Sequence, residues 1–96
     1  MAYPNKTVEL RLEFPVERAG KTIEVLTIRR PKVRDNMIAG KKEDDADKEI
    51  TLMSMLAGVD DAVIHEMDMI DYSAFQQVIV DFRKKPASQS VTSSEA

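Results

Sequence analysis

Thr7-Val8-Glu9-Leu10-Arg11-Leu12-Glu13-Phe14-Pro15 is the stretch that decides the fold. Val8, Leu10, Leu12 and Phe14 alternate with Glu9, Arg11 and Glu13, the period of a strand with one face on a core and the other in water. Pro15 cannot donate to a ladder, so it ends the strand or sets it at an edge. Glu17-Arg18-Ala19-Gly20-Lys21 then supplies a turn whose glycine tolerates positive φ. A second strand over 22–29 completes an antiparallel hairpin, but its alternation has a fault: Ile23 and Val25 share one face, Leu26 and Ile28 the other. Either both faces are partly covered, or a bulge resets the phase between Val25 and Leu26 and keeps Ile23, Leu26 and Ile28 on the core side.

Beyond the hairpin the pattern turns helical. Pro31 suits a first helical turn, and Val33, Met37 and Ile38 are expected inward on a short helix ended by Gly40. Residues 41–48 show no period and dense charge, the composition of a mobile acidic linker. Asp47 can cap a helix carrying Ile50, Met53, Leu56 and Ala57, with Gly58 as a left-handed stop. Asp60 or Asp61 caps a short helix with Val63, Ile64 and Met67 inward. Asp71 is expected to cap the final helix, where Phe75, Val78, Ile79 and Phe82 recur at three and four, Arg83, Lys84 and Lys85 complement the dipole, and Pro86 stops the run. Residues 86–96 are small and polar and are expected to be disordered. The reading is a single α+β domain over 1–85: an N-terminal antiparallel hairpin, with a third strand available in 1–6, packed by three to four short helices.

Composition narrows the function. Ninety-six residues allow one core, 43% apolar and 32% charged is an ordinary soluble balance, and no apolar run approaches the roughly 20 residues that cross a bilayer. The first residues lack the plan of an export signal, which points to a cytoplasm. With no cysteine there is no thiolate nucleophile, disulfide or thiolate zinc site, and no cofactor is called for. The net charge of −3 opposes non-specific binding to nucleic acid. The distribution is uneven, however: 18–42 is rich in Arg and Lys, whereas 43–49 is mostly Asp and Glu.

Few residues are candidates for chemistry. His65 is the single histidine, at helical spacing from Asp61 and Asp68, but no hydroxyl nucleophile shares its element, and a surface or cap role fits it better. The acidic run from Glu43 to Glu49 lacks the glycine of a calcium loop. Arg29, Arg30, Lys32 and Arg34 form a basic patch able to hold an anion, with no aromatic residue interleaved for base stacking. Among six methionines, Met53 and Met67 fit core stripes while Met55 and Met69 fall off them. Either all fill core gaps, or Met55, Met69 and Ile70 edge a groove for a partner helix.

The order of these parts carries a resemblance. Phe14-Pro15-Val16, Gly20, the Ile23/Leu26/Ile28 strand running into Arg29-Arg30-Pro31, Asp35, Leu56-Ala57-Gly58-Val59, Asp71-Tyr72 and the Val78 to Phe82 end together resemble the tail assembly chaperones of contractile-tailed bacteriophages and Mu-like prophages. That resemblance implies a non-enzymatic protein of the infected bacterial cytoplasm. It would bind the tape measure protein, keep it soluble while tail tube subunits polymerise around it, and be absent from the mature virion. It also implies a longer frameshifted form sharing the N-terminal part. Self-association is a further expectation, and the partner contacts expected are Met55, Met69, Ile70, Arg29, Arg30 and Arg34. Two other readings use the same residues: a small structural tail or baseplate component, and a nucleic-acid-binding regulator acting through Arg29 to Arg34.

Overall fold

A computed structural model of the chain describes residues 7–84. Within them the order is β1 (Thr7–Arg18), β2 (Lys21–Arg29), α1 (Val33–Ala39), α2 (Asp45–Ala57), α3 (Asp61–Glu66) and α4 (Met69–Phe82). The architecture is α+β, as the sequence indicates: a two-stranded antiparallel hairpin followed by four helices. The third strand in 1–6 and the tail over 86–96 lie outside the described residues.

β1 runs past Pro15 to Arg18, longer than the sequence suggests. The hairpin turns on Ala19 and Gly20 alone, both at positive φ (53° and 77°), with Arg18 opposite Lys21. Two left-handed residues in a two-residue loop match the right-handed twist of the strands. Alanine bears a steric cost there that asparagine largely avoids. Ala19→Asn is therefore expected to raise stability by about 0.5–1 kcal/mol, measured as a higher urea midpoint at unchanged slope.

The expected bulge exists, but on the other strand. Pairing runs from Thr7↔Arg29 to Arg11↔Val25 and resumes at Val16↔Ile23, so residues 12–15 stand opposite Glu24 alone. The odd excess resets the phase, which is why Ile23 packs against the core alongside buried Leu26 and Ile28. Phe14 is the cost of that shift: expected inside, it is 56% exposed, and Val16 takes the buried place at 3%.

Around this hairpin the core gathers Leu12 and Val16, Leu26 and Ile28, Ala39, Leu52, Met53 and Leu56, Val63, Ile64 and Met67, and Phe75, Ile79 and Phe82. α3 matches its expectation: Asp60 is the N-cap and Val63, Ile64 and Met67 are buried. α2 ends at Gly58 with φ 66°, in the left-handed conformation that glycine adopts without strain. It starts earlier than expected, with Asp44 rather than Asp47 at the cap, so residues 45–48 of the expected linker form its first turn. α4 also starts early: Asp68 is the cap, its Oδ1 accepting from the Ile70 N–H at 2.9 Å. The helix closes at Phe82, before the proline expected to stop it.

α1 is turned over. Val33, Met37 and Ile38, expected inward, are 77%, 67% and 47% exposed, while Asp35 and Ala39 are buried at 2% and 4%. The reason is an ion pair: Arg29 at the end of β2 forks onto the Asp35 carboxylate, which fixes the helix with that face inward.

Candidate functional site

α4 is held to the hairpin at both ends by side chains the sequence assigns elsewhere. At its start, Asp71 is a first-turn residue, 2% exposed, rather than the cap. Its Oδ1 accepts from the Glu13 N–H at 2.8 Å and its Oδ2 from the Phe14 N–H at 3.1 Å. These donors lie in the bulge, where four residues face one on β2, and the next residue, Pro15, has no N–H. At its far end, Arg30 Nη2 donates to the Phe82 carbonyl at 2.7 Å, and its guanidinium carbon lies 5.1 Å from the Phe82 ring centre. A cation on the last carbonyls suits the negative end of the helix dipole.

The Arg29–Asp35 fork ties β2 to α1 at 2.8 and 2.9 Å, and Asp35 also accepts the Lys32 N–H at 2.8 Å. The Arg29 hydrogen bonds outweigh burial and, aided by the Lys32 N–H, hold the Asp35 carboxyl down to about 2. The same pair raises the Arg29 pKa. Between α2 and α4, Glu49 accepts from the Tyr72 hydroxyl and from Gln76 Nε2 at 3.1 Å. Burial, then the Glu49 hydrogen bond, push the Tyr72 phenol up to about 12.

These ties leave an open cleft of about 670 Å³ between three helices. α4 and its C-cap line it with Gln76, Ile79, Val80 and Arg83, α2 with Asp45, Lys48, Glu49 and Leu52, and α1 and its C-cap with Asn36, Ala39 and Gly40. Each helix presents the i, i+3, i+4 spacing of a single face. The floor is apolar, from Ala39, Leu52 and Ile79. The rim is polar and mixed in charge, and Val80 stands on it 48% exposed. The small residues Ala39 and Gly40 keep the α1 wall low. A groove with an apolar floor and a polar rim suits the side chains of an amphipathic helix.

The residues singled out in sequence scatter around this cleft rather than lining it. Met69 and Ile70 sit together on the first turn of α4, 69% and 56% exposed. Met55 is half-buried and packs against the core. Arg29 and Arg30 hold the fold contacts above, while Arg34 is exposed on α1. His65 is exposed. Among the described residues no group of three or more His, Cys, Asp or Glu is placed to hold a metal ion. No described helix is long and apolar enough to cross a membrane. The cleft escaped the sequence reading because each contributing stripe is half polar and resembles a solvated face.

Fold and cleft define a small α+β domain that offers a helix-lined surface. The family model described as phage tail assembly chaperone proteins, E, or 41 or 14, matches residues 9–84, which is most of the chain, and the protein belongs to that family. No curated protein and no solved structure matches it. Membership implies work on tail proteins in the host during assembly, and it suggests a non-enzymatic role.

Proposed function

We propose that this domain binds apolar helical segments of a phage tape measure protein in the cleft between α1, α2 and α4. It keeps that protein soluble in the bacterial cytoplasm until tail tube subunits enclose it, and it leaves before the particle is complete. The observation that carries this reading is the cleft itself: an open groove between three helices, floored by the buried side chains of Ala39, Leu52 and Ile79, with Val80 exposed at its edge. A chaperone that must release its client needs modest affinity at each site, and repeated copies along one long client supply the rest by avidity. A longer frameshifted form sharing this domain would carry the same cleft.

The basic patch supports a nucleic-acid role less well, because Arg29 and Arg30 make fold contacts and binding to phosphate draws its strength from clustered cations directed at the ligand. The cleft is tested with Val80→Glu. This change is on a half-exposed position, so the fold should survive, and it sets a charge at the one exposed apolar side chain of the cleft's edge. Affinity for a tape measure fragment is expected to fall by about tenfold or more, measured by titration calorimetry. Unchanged affinity would remove the cleft from the contact.

A further inference from the structure

The cleft has a basic annex. A second open groove, of about 310 Å³, lies between the residues leading into α1 and the C-terminal end of α4. Asn36 and Arg83 line both spaces, so the annex adjoins the cleft at those two residues. The two differ in charge. In the cleft Lys48 and Arg83 stand with Asp45 and Glu49 and the signs balance, whereas the annex is lined by Arg30, Lys32 and Arg83 and by no acid. Arg30 is held there by its 2.7 Å bond to the Phe82 carbonyl and by the Phe82 ring beneath it. Lys32 and Arg83 are exposed, and neither takes part in a salt bridge among the described residues. The acids near them in sequence are engaged elsewhere: Asp35 is buried against Arg29, and Asp81 pairs with Lys84 at 3.6 Å. Val33, 77% exposed, adds an apolar wall.

We infer that the annex selects the client: the helical segment taken by the cleft carries acidic side chains on the turn that reaches past Asn36 and Arg83, and their carboxylates settle among Arg30, Lys32 and Arg83. This rests on the cleft being the client site and adds what the client must look like. Cations of one sign, with no acid lining the same groove, are complementary to carboxylates. Arg83 presents a guanidinium fork that matches a carboxylate in two bonds, and Val33 gives the methylene stem of a glutamate an apolar surface. Nucleic-acid phosphate is the other anion such a groove could hold, and three features disfavour it. The chain carries a net charge of −3, which opposes a polyanion. The Phe82 ring is 5% exposed and lies under Arg30, so it cannot stack a base. The groove also continues over the apolar floor of the cleft, which suits side chains rather than a phosphate backbone. Charge at this edge fits a client that must be released, because it improves choice of partner and rate of encounter more than it prolongs the complex.

Peptides of about 20 residues, tiled along a tape measure protein and titrated onto the full chain by fluorescence anisotropy, test it. The binders are expected to combine an apolar stripe with Asp or Glu at one end of it. Lys32→Glu and Arg83→Glu, both at exposed positions, should each weaken such a peptide by about fivefold or more at low salt, and the difference from the wild type should fade in molar salt. Circular dichroism of both variants should stay that of the wild type. The discriminating step changes the peptide's acids to lysine, which should weaken binding to the wild type and restore it to Arg83→Glu. Binders without acids at one end, or a charge swap that restores nothing, overturn the inference, while loss of the same peptides in Val80→Glu keeps the cleft as the client site. Binders indifferent to Val80→Glu, or no binder at all, remove the cleft reading and the inference with it. A single-stranded oligonucleotide that binds the wild type more tightly than any peptide, and is lost in Arg83→Glu, assigns the annex to phosphate and overturns the inference as well.

Discussion

Asp71→Ala is expected to lower the free energy of unfolding by roughly 3 kcal/mol. The Glu13 and Phe14 N–H groups lie where β2 offers one residue against four, so the strand ladder cannot satisfy them. One carboxylate takes both, at 2.8 and 3.1 Å. The charge is also favoured by its place in the first turn of α4, at the positive end of the helix dipole. Alanine removes the acceptors and leaves two part-buried donors without a protein partner. Asp71→Asn keeps one acceptor but turns an NH₂ toward the second N–H, and should lose at least half as much. Urea denaturation checks both, with the midpoint falling and the slope held. Wild-type stability in Asp71→Ala would mean that the clamp does not hold the bulge.

Arg29→Ala is expected to cost about 2–3 kcal/mol. Asp35 is 2% exposed and keeps a single remaining donor, the Lys32 N–H, once the fork is gone. The partly exposed position of Arg29, at 38% of its side chain, keeps the loss below that of a fully buried pair broken in the dry interior. The same pair predicts the acid response. Asp35 sits at about 2 in the fold against an ordinary 3.8, so as pH falls the unfolded chain takes up the proton first. Its contribution is complete above about pH 5 and is largely lost as pH falls toward 2, a loss of about 2 kcal/mol. Urea midpoints at pH 5 and pH 2 should show that increment in the wild type and much less of it in Arg29→Ala. An acid response of equal size in both would remove the fork as its source.

Much of this fold could be read from the chain because local rules and the core agree. Gly58 stops α2, Asp60 opens α3, and Phe75, Ile79 and Phe82 carry the buried stripe of α4. The bulge could not be placed, because the alternation from Val8 to Phe14 is unbroken. What pulls Phe14 out of phase is a carboxylate 57 residues away in sequence. α1 was read inside out for a similar reason. Seven residues are too few turns for a period to decide, and its buried face is chosen by Arg29 rather than by the apolar residues. Asp47 and Asp71 were reasonable caps, but Asp44 and Asp68 are equally competent by residue type, and only the backbone distinguishes them. The basic patch showed a similar limit. Counting charges finds Arg29 and Arg30, but their contacts with Asp35 and the Phe82 carbonyl require the fold.

The cleft inverts the usual order of inference, since none of its stripes would be chosen from sequence as a binding face. Gln76 and Val80 lie off the apolar stripe expected for α4, Arg83 is assigned there to the helix dipole, and Asp45 and Lys48 fall in the expected acidic linker. Only their meeting with Ala39 and Gly40 over Leu52 and Ile79 makes a site. The client reading therefore stands on the assembled surface and on family membership together.

Its most direct test is co-expression of this chain with a tape measure protein that is insoluble alone, followed by fractionation and mass spectrometry of what elutes with the chain. The account predicts that the tape measure protein moves to the soluble fraction and co-elutes with the wild type, and that Val80→Glu returns it to the pellet. A tape measure protein that remains insoluble beside folded, abundant chain would contradict it.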